Sequence, residues 1–209
     1  MVNTPGLESL LICHVCVKIP ELFVVPLNLV VVVFLESVTV ARTFAPAIVT
    51  LETAAASVRA SYNILVEGAS DAASFYAISD TLGSLFERFN ILVINANGHG
   101  NIDPYVEFMT NYQIPYIAMV DTQYNGENQP SDNFVVLDNK LEHELSAAGW
   151  TGNTDSSVDP DVAYNFVSET IGQAKIQKIR NTKLGQIFDK TFRGIGADPD
   201  RIWNKVNTN

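Results

Sequence analysis

The chain has 209 residues, enough for one well-buried core with an appendage and too few for two full domains. Its 47% hydrophobic and 17% charged residues exclude the disordered class. A net charge of −10 opposes attraction to a polyanion unless the basic residues are gathered in one place.

Residues 1–62 differ from the rest of the chain. Cys13 and Cys16, with His14 between them, are the two cysteines, and no second ligand pair occurs at zinc-site spacing. No structural zinc or disulfide framework is therefore expected, and a reducing, cytoplasmic setting is the default. Residues 22–35 are uncharged, but this run is shorter than the ~20 residues a membrane-spanning helix needs, and Pro26 and Asn28 interrupt it. The β-branched run Val30-Val31-Val32-Val33 favours a buried strand or hairpin, so no stable membrane association is expected. Residues 48–60, with Ala54-Ala55-Ala56 and no breaker, predict a helix leading out of this N-terminal hydrophobic extension.

From residue 63 the pattern is regular. A strand over 63–66 precedes a helix of about 70–88, in which Phe75, Ile78, Leu82, Leu85 and Phe89 recur at helical spacing. A strand over 91–94 leads through a loop at 95–101 into a helix near 102–112. A strand over 116–120 comes before a polar loop at 122–133, and a strand over 134–137 before a helix near 140–148. Continuous apolar strands separated by helices predict an α/β fold, a parallel sheet of about four strands flanked by helices across residues 63–148. Residues 149–209 read as a polar loop and then a helical C-terminal tail, with helices near 160–180 and 182–192 and a short terminal one. Eight of the 13 Lys and Arg lie here: Lys175, Lys178, Arg180, Lys183, Lys190, Arg193, Arg201 and Lys205. Two readings fit them, a solvated helical surface and a phosphate-contacting face.

In an open parallel sheet, ligands bind outside the carboxyl ends of the strands. Glu67, Asn95, Asp121 and the acidic stretch from Asp138 through Glu142 to Glu144 all fall at or beyond such ends. Crowded carboxylates repel one another unless a hard divalent cation neutralises them, so Mg²⁺ or Mn²⁺ is the expected occupant. For any one acid the plain alternative is a turn or helix cap, and Asp71 suits the first turn of its helix.

The run Leu65-Val66-Glu67-Gly68-Ala69-Ser70-Asp71, the loop Asn97-Gly98-His99-Gly100-Asn101, the strand ending at Asp121 and the pair Leu141-Glu142 together resemble a Toprim domain. This is the Rossmann-like metal-binding module of topoisomerases, primases and certain nucleases, and the overcoming-lysogenization-defect nucleases are the most similar in flavour. The resemblance spans about residues 63–146. It implies that Glu67 is a metal ligand or general base, that Asp71 and Asp121 are ligands, and that Glu142 serves a second metal, with Glu144 beside it. It further implies a tail lysine, Lys183, that neutralises transition-state charge. A Toprim domain usually carries Asp-x-Asp after its third strand, and here the sequence is Asp121-Thr122-Gln123, so one metal position lacks a negative ligand.

The resulting expectation is a Mg²⁺-dependent endonuclease or nuclease-like subunit acting on nucleic acid, DNA before RNA. It would work beside an ATPase on another chain, because no G-x-x-x-x-G-K-[ST] occurs here, and self-association into a homo-oligomer is compatible with this role. The tyrosine- or zinc-bearing partner domains of topoisomerases and primases are not expected. One alternative is a catalytically degenerate Toprim module that serves assembly, which Gln123 favours. Another is a flavodoxin-like phosphate-binding protein using the 97–101 loop, which the missing G-x-G-x-x-G disfavours. His99 is read as a phosphate contact or proton carrier, or as a loop histidine with no chemical role, and His143 as a partner of its neighbouring glutamates.

Overall fold

Helix α1 (Leu51–Arg59) starts where the Thr50 hydroxyl accepts the Thr53 N–H at 3.1 Å. The chain then enters strand β1 (Tyr62–Val66), helices α2 (Ala69–Thr81) and α3 (Leu85–Phe89), and strand β2 (Ile91–Asn95). Past a 3-10 turn (His99–Asn101) come α4 (Ile102–Asn111), β3 (Tyr116–Val120), β4 (Phe134–Val136) and α5 (Leu141–Ala147). Four more helices close the order: α6 (Pro160–Gly172), α7 (Ile176–Arg180), α8 (Lys183–Gly194) and α9 (Pro199–Asn204). This computed structural model describes residues 50–124, 132–173 and 175–204. The expectations for Cys13, Cys16 and residues 22–35 lie outside the described residues, as does the 125–131 part of the polar loop. Among the described residues, no helix is long and apolar enough to cross a membrane.

All four strands are parallel, in the order β2-β1-β3-β4. Alternation along each strand sorts side chains to two faces. Ile64, Val66, Ile117 and Met119 enter one buried cluster, whereas Leu65, Ala118 and Val120 enter the other. The first cluster is completed by Phe75 and Ile78 of α2 and by Val167, Ile179, Phe188, Phe192 and Trp203 of the C-terminal helices. The second is completed by Ala54 of α1 and by Ile102, Val106 and Met109 of α4. Both faces are thus covered, which is why β3 is buried at every position. The helices after residue 160 share one core with the strands.

Two predicted helices are broken in the structure. The helix expected over 70–88 is α2 and α3, separated where Gly83 and Ser84 take φ of 96° and 51°, outside the right-handed helical range. The apolar period crosses the break because Leu82 and Leu85 are both buried in the same cluster. The helix expected over 160–180 is α6 and α7. Asp159 caps α6 by accepting the Asp161 N–H at 2.8 Å, with Pro160 at the first helical position. Gly185 near the start of α8 lies so close to the Arg180 carbonyl that an added Cβ would sit 2.3 Å from it, so only glycine permits the tight turn from α7 into α8.

Candidate metal centre

Parallel pairing places every strand's carboxyl end on one edge. The chain leaves β1 for β2 on one side and returns past β1 to β3 on the other, so the switch point of the sheet lies between β1 and β3. Glu67 and Asp121 are the residues immediately after those two strands. They meet across the switch point, where a Glu67 carboxylate oxygen accepts the Asp121 N–H at 2.8 Å.

Asp71 stands in the first turn of α2 and accepts the Gly68 N–H at 2.8 Å, closing the turn just past Glu67. It is 8% exposed, and its carboxyl is pushed up to about 7, first by burial and then by the charges of Asp121, Glu67 and Glu142, against the lowering effect of the Gly68 N–H. Asp121 is pushed up to about 6, by burial and then by Glu67 and Glu142, while Lys140 and His99 act to lower it. The Glu67 carboxyl is also raised by burial, against the Asp121 N–H and His99. Asp71 and Asp121 therefore both feel the charges of Glu67 and Glu142 at this edge.

Glu142, 5% exposed on α5, belongs to this group, and it accepts the Val158 N–H at 2.6 Å. Glu144 does something else: it accepts the Lys183 N–H at 2.6 Å and so caps α8 from outside that helix, alongside Thr182. Glu144 is not among the charges acting on Glu67, Asp71 or Asp121. The Lys183 ammonium lies 3.9 Å from exposed Asp138, two residues past β4, whereas the lysine whose charge bears on Asp121 is Lys140. Sequence reasoning passed over Lys140. The available signal was its place directly before α5, beyond the carboxyl end of β4. Gln123 is exposed.

The 97–101 loop is fastened beside Glu67. The Gly98 N–H donates to the Glu67 carbonyl at 2.8 Å, and the Asn101 side-chain amide holds the Ala96 and Asn97 carbonyls at 2.8 and 3.1 Å. His99 is exposed there, with its charge felt by both Glu67 and Asp121. On the far side, the Tyr124 hydroxyl donates to Asp103, and its ring stacks on Phe134 at 5.9 Å.

Carboxylate oxygens are the hard donors that a Mg²⁺-like ion takes, so the donor set fits such an ion in kind. Among the described residues, however, no three His, Cys, Asp or Glu groups converge closely enough to hold one. The hydrogen bonds supply a reason, since Glu67, Asp71 and Glu142 each turn one oxygen onto a backbone N–H.

Residues 60–122 match the family model of the overcoming lysogenization defect protein-like TOPRIM domain. Among solved structures, the C-terminal region of the Xanthomonas campestris pv. campestris OLD protein is similar at 17% identity and a TM-score of 0.36, covering 71% of this chain and 94% of its own. The C-terminal region of the Burkholderia pseudomallei OLD protein is similar at the same identity and TM-score, covering 71% and 96%. No curated protein matches the chain.

Proposed function

We propose, from the premise that residues 60–122 are a Toprim domain of the overcoming-lysogenization-defect type, that this chain is a divalent-metal-dependent phosphodiesterase acting on nucleic acid, DNA first. The observation that carries this reading is the pairing of Glu67 with Asp121 across the switch point, beside the buried, charge-strained Asp71. Gly68 gives Asp71 a structural partner, but the charges of Asp121, Glu67 and Glu142 still oppose its ionisation, and a bound cation would relieve that opposition.

Toprim domains in general bind divalent metal ions, and here Glu67, Asp71 and Asp121 would hold the ion, Mg²⁺ or Mn²⁺. When bound, it supplies an activated water and charge stabilisation for the leaving oxygen. The Glu67 oxygen not bonded to the Asp121 N–H would either hold the ion or, as a general base, take a proton. The charge of Lys140 bears on Asp121 and the Lys183 ammonium lies beside Asp138, and we add Lys140 to Lys183 as a group that neutralises phosphate charge. An ATPase on a separate chain and a cytoplasmic setting complete the reading. The basic tail contributes less than its sequence promised, because Arg180, Lys183, Arg193 and Arg201 all face carboxylates of this chain.

The test is plasmid nicking in Mg²⁺ or Mn²⁺ by the wild type and Glu67→Gln. Metal-dependent nicking that disappears in the variant supports the reading, and nicking equal in both removes it. The second reading, a catalytically degenerate Toprim interaction module, is favoured by Gln123 and by carboxylates turned onto backbone N–H groups. It predicts no nicking by either protein.

A further inference from the structure

The backbone of Val158 is held on both sides of its Cα. Its N–H donates to Glu142 at 2.6 Å and its carbonyl accepts the Ser70 hydroxyl at 2.6 Å, while its side chain is 6% exposed within the core. Ser70 and Glu142 occupy the first turns of α2 and α5, and Ser70 is the neighbour of Asp71. One residue thus bridges the two helix starts that border the acidic edge.

The segment that delivers Val158 is pinned at its ends. The Gly149 and Trp150 N–H groups donate to the Ser146 and Leu145 carbonyls, each at 2.9 Å, and Asp159 caps α6. Gly152 lets the chain fold against Trp150, since a Cβ there would lie 2.1 Å from the indole.

We propose that Glu142 serves the site as a positioning residue and not as a metal ligand: with Ser70 it clamps the Val158 backbone into a strut that fixes the first turn of α2, and with it Asp71, against α5. This rests on the metal-dependent reading above. To turn the bonded oxygen toward an ion, Glu142 would have to leave the buried Val158 N–H without an acceptor. A ligand role and a strut role separate cleanly, because glutamine keeps the acceptor oxygen and loses the charge.

The experiment measures hydrogen exchange at the Val158 amide in the metal-free protein, and Mn²⁺ affinity by calorimetry, for wild type, Glu142→Gln, Glu142→Ala and Ser70→Ala. Glu142→Ala is expected to speed Val158 exchange about tenfold or more, and Glu142→Gln to leave it within about threefold of wild type. Mn²⁺ affinity is expected to fall severalfold in Glu142→Ala and in Ser70→Ala, and to stay within about threefold of wild type in Glu142→Gln. Ser70→Ala alters no charge, so its loss of affinity reports the strut, and it decides the matter with Glu142→Gln if Glu142→Ala does not fold. Loss of affinity in Glu142→Gln equal to that in Glu142→Ala overturns the proposal in favour of a ligand. Wild-type exchange in Glu142→Ala, or wild-type affinity in Ser70→Ala, overturns it as well. A wild type that binds no Mn²⁺ overturns the metal-dependent reading, and the exchange rates then still decide whether the strut exists.

Discussion

The protein gathers charge in two regions and treats it in opposite ways. Around Trp203, Asp189 accepts the indole N–H at 2.6 Å and meets Arg180 at 3.2 Å and Arg193 at 3.8 Å, and Arg180 also reaches Asp200. The Arg180 guanidinium lies 6.0 Å over the Trp203 ring, so every group in this clasp has a partner that ties α7, α8 and α9 together. At the carboxyl edge of the sheet, Asp71 and Asp121 instead lie under the like charges of Glu67 and Glu142, and both are held well above the ordinary carboxylate range. Paired charge is what a fold uses for its own cohesion. Charge left opposed to like charge costs stability and points to something the fold does not itself contain.

Glu67→Gln should have the largest effect at the acidic edge. It keeps an acceptor for the Asp121 N–H but removes a ligand charge, so nicking should fall about a thousandfold or more while the metal-free melting temperature stays at or above that of the wild type. Glu67→Ala should also destabilise, by about 1–3 kcal/mol, because the Asp121 N–H loses its acceptor.

Asp71→Asn tests whether the acidic edge is under strain. A carboxyl raised from 3.8 to about 7 on folding binds its proton more tightly in the folded state. Its favourable contribution is then fully present below the unfolded value and is lost as pH rises through the folded one. The metal-free wild type should therefore lose stability between about pH 4 and pH 7 relative to Asp71→Asn. By pH 8 the variant should be the more stable, by about 4 kcal/mol at most. Denaturant melts at the two pH values measure this, and parallel profiles would contradict it.

Asp189→Ala tests the other region. Removing it leaves the Trp203 N–H without its acceptor and Arg180 with Asp200 alone, and should cost about 1–3 kcal/mol in a denaturant melt while leaving Mn²⁺ affinity within error of wild type. The smallest effect belongs to Gln123→Asp. If residue 123 turns toward Asp121, the added charge should tighten Mn²⁺ binding about severalfold by calorimetry; unchanged affinity would place its side chain away from the ion.

The sheet was legible because each strand is dominated by apolar residues, as in Tyr116-Ile117-Ala118-Met119-Val120, and both of its faces are covered. The α2–α3 break was hidden because Leu82 and Leu85 keep the helical period across Gly83 and Ser84, so only the backbone reverses. At the site, Glu67 and Asp121 could be placed from their positions just past strand ends. Glu142 and Glu144 could not be told apart, since two residues of separation on a short helix send one side chain to Val158 and the other to α8. The partners of the basic tail were also out of reach, because Asp189 and Asp200 meet Arg180 only after three helices have packed.

If Glu67, Asp71 and Asp121 hold a divalent ion, its binding must stabilise the folded chain. A thermal melt of the wild type and Glu67→Gln, with Mn²⁺ raised to about a hundredfold above its dissociation constant, tests it most directly. The wild type should gain about 5–10 °C and the variant close to none. No gain in the wild type, or an equal gain in both, would contradict the claim.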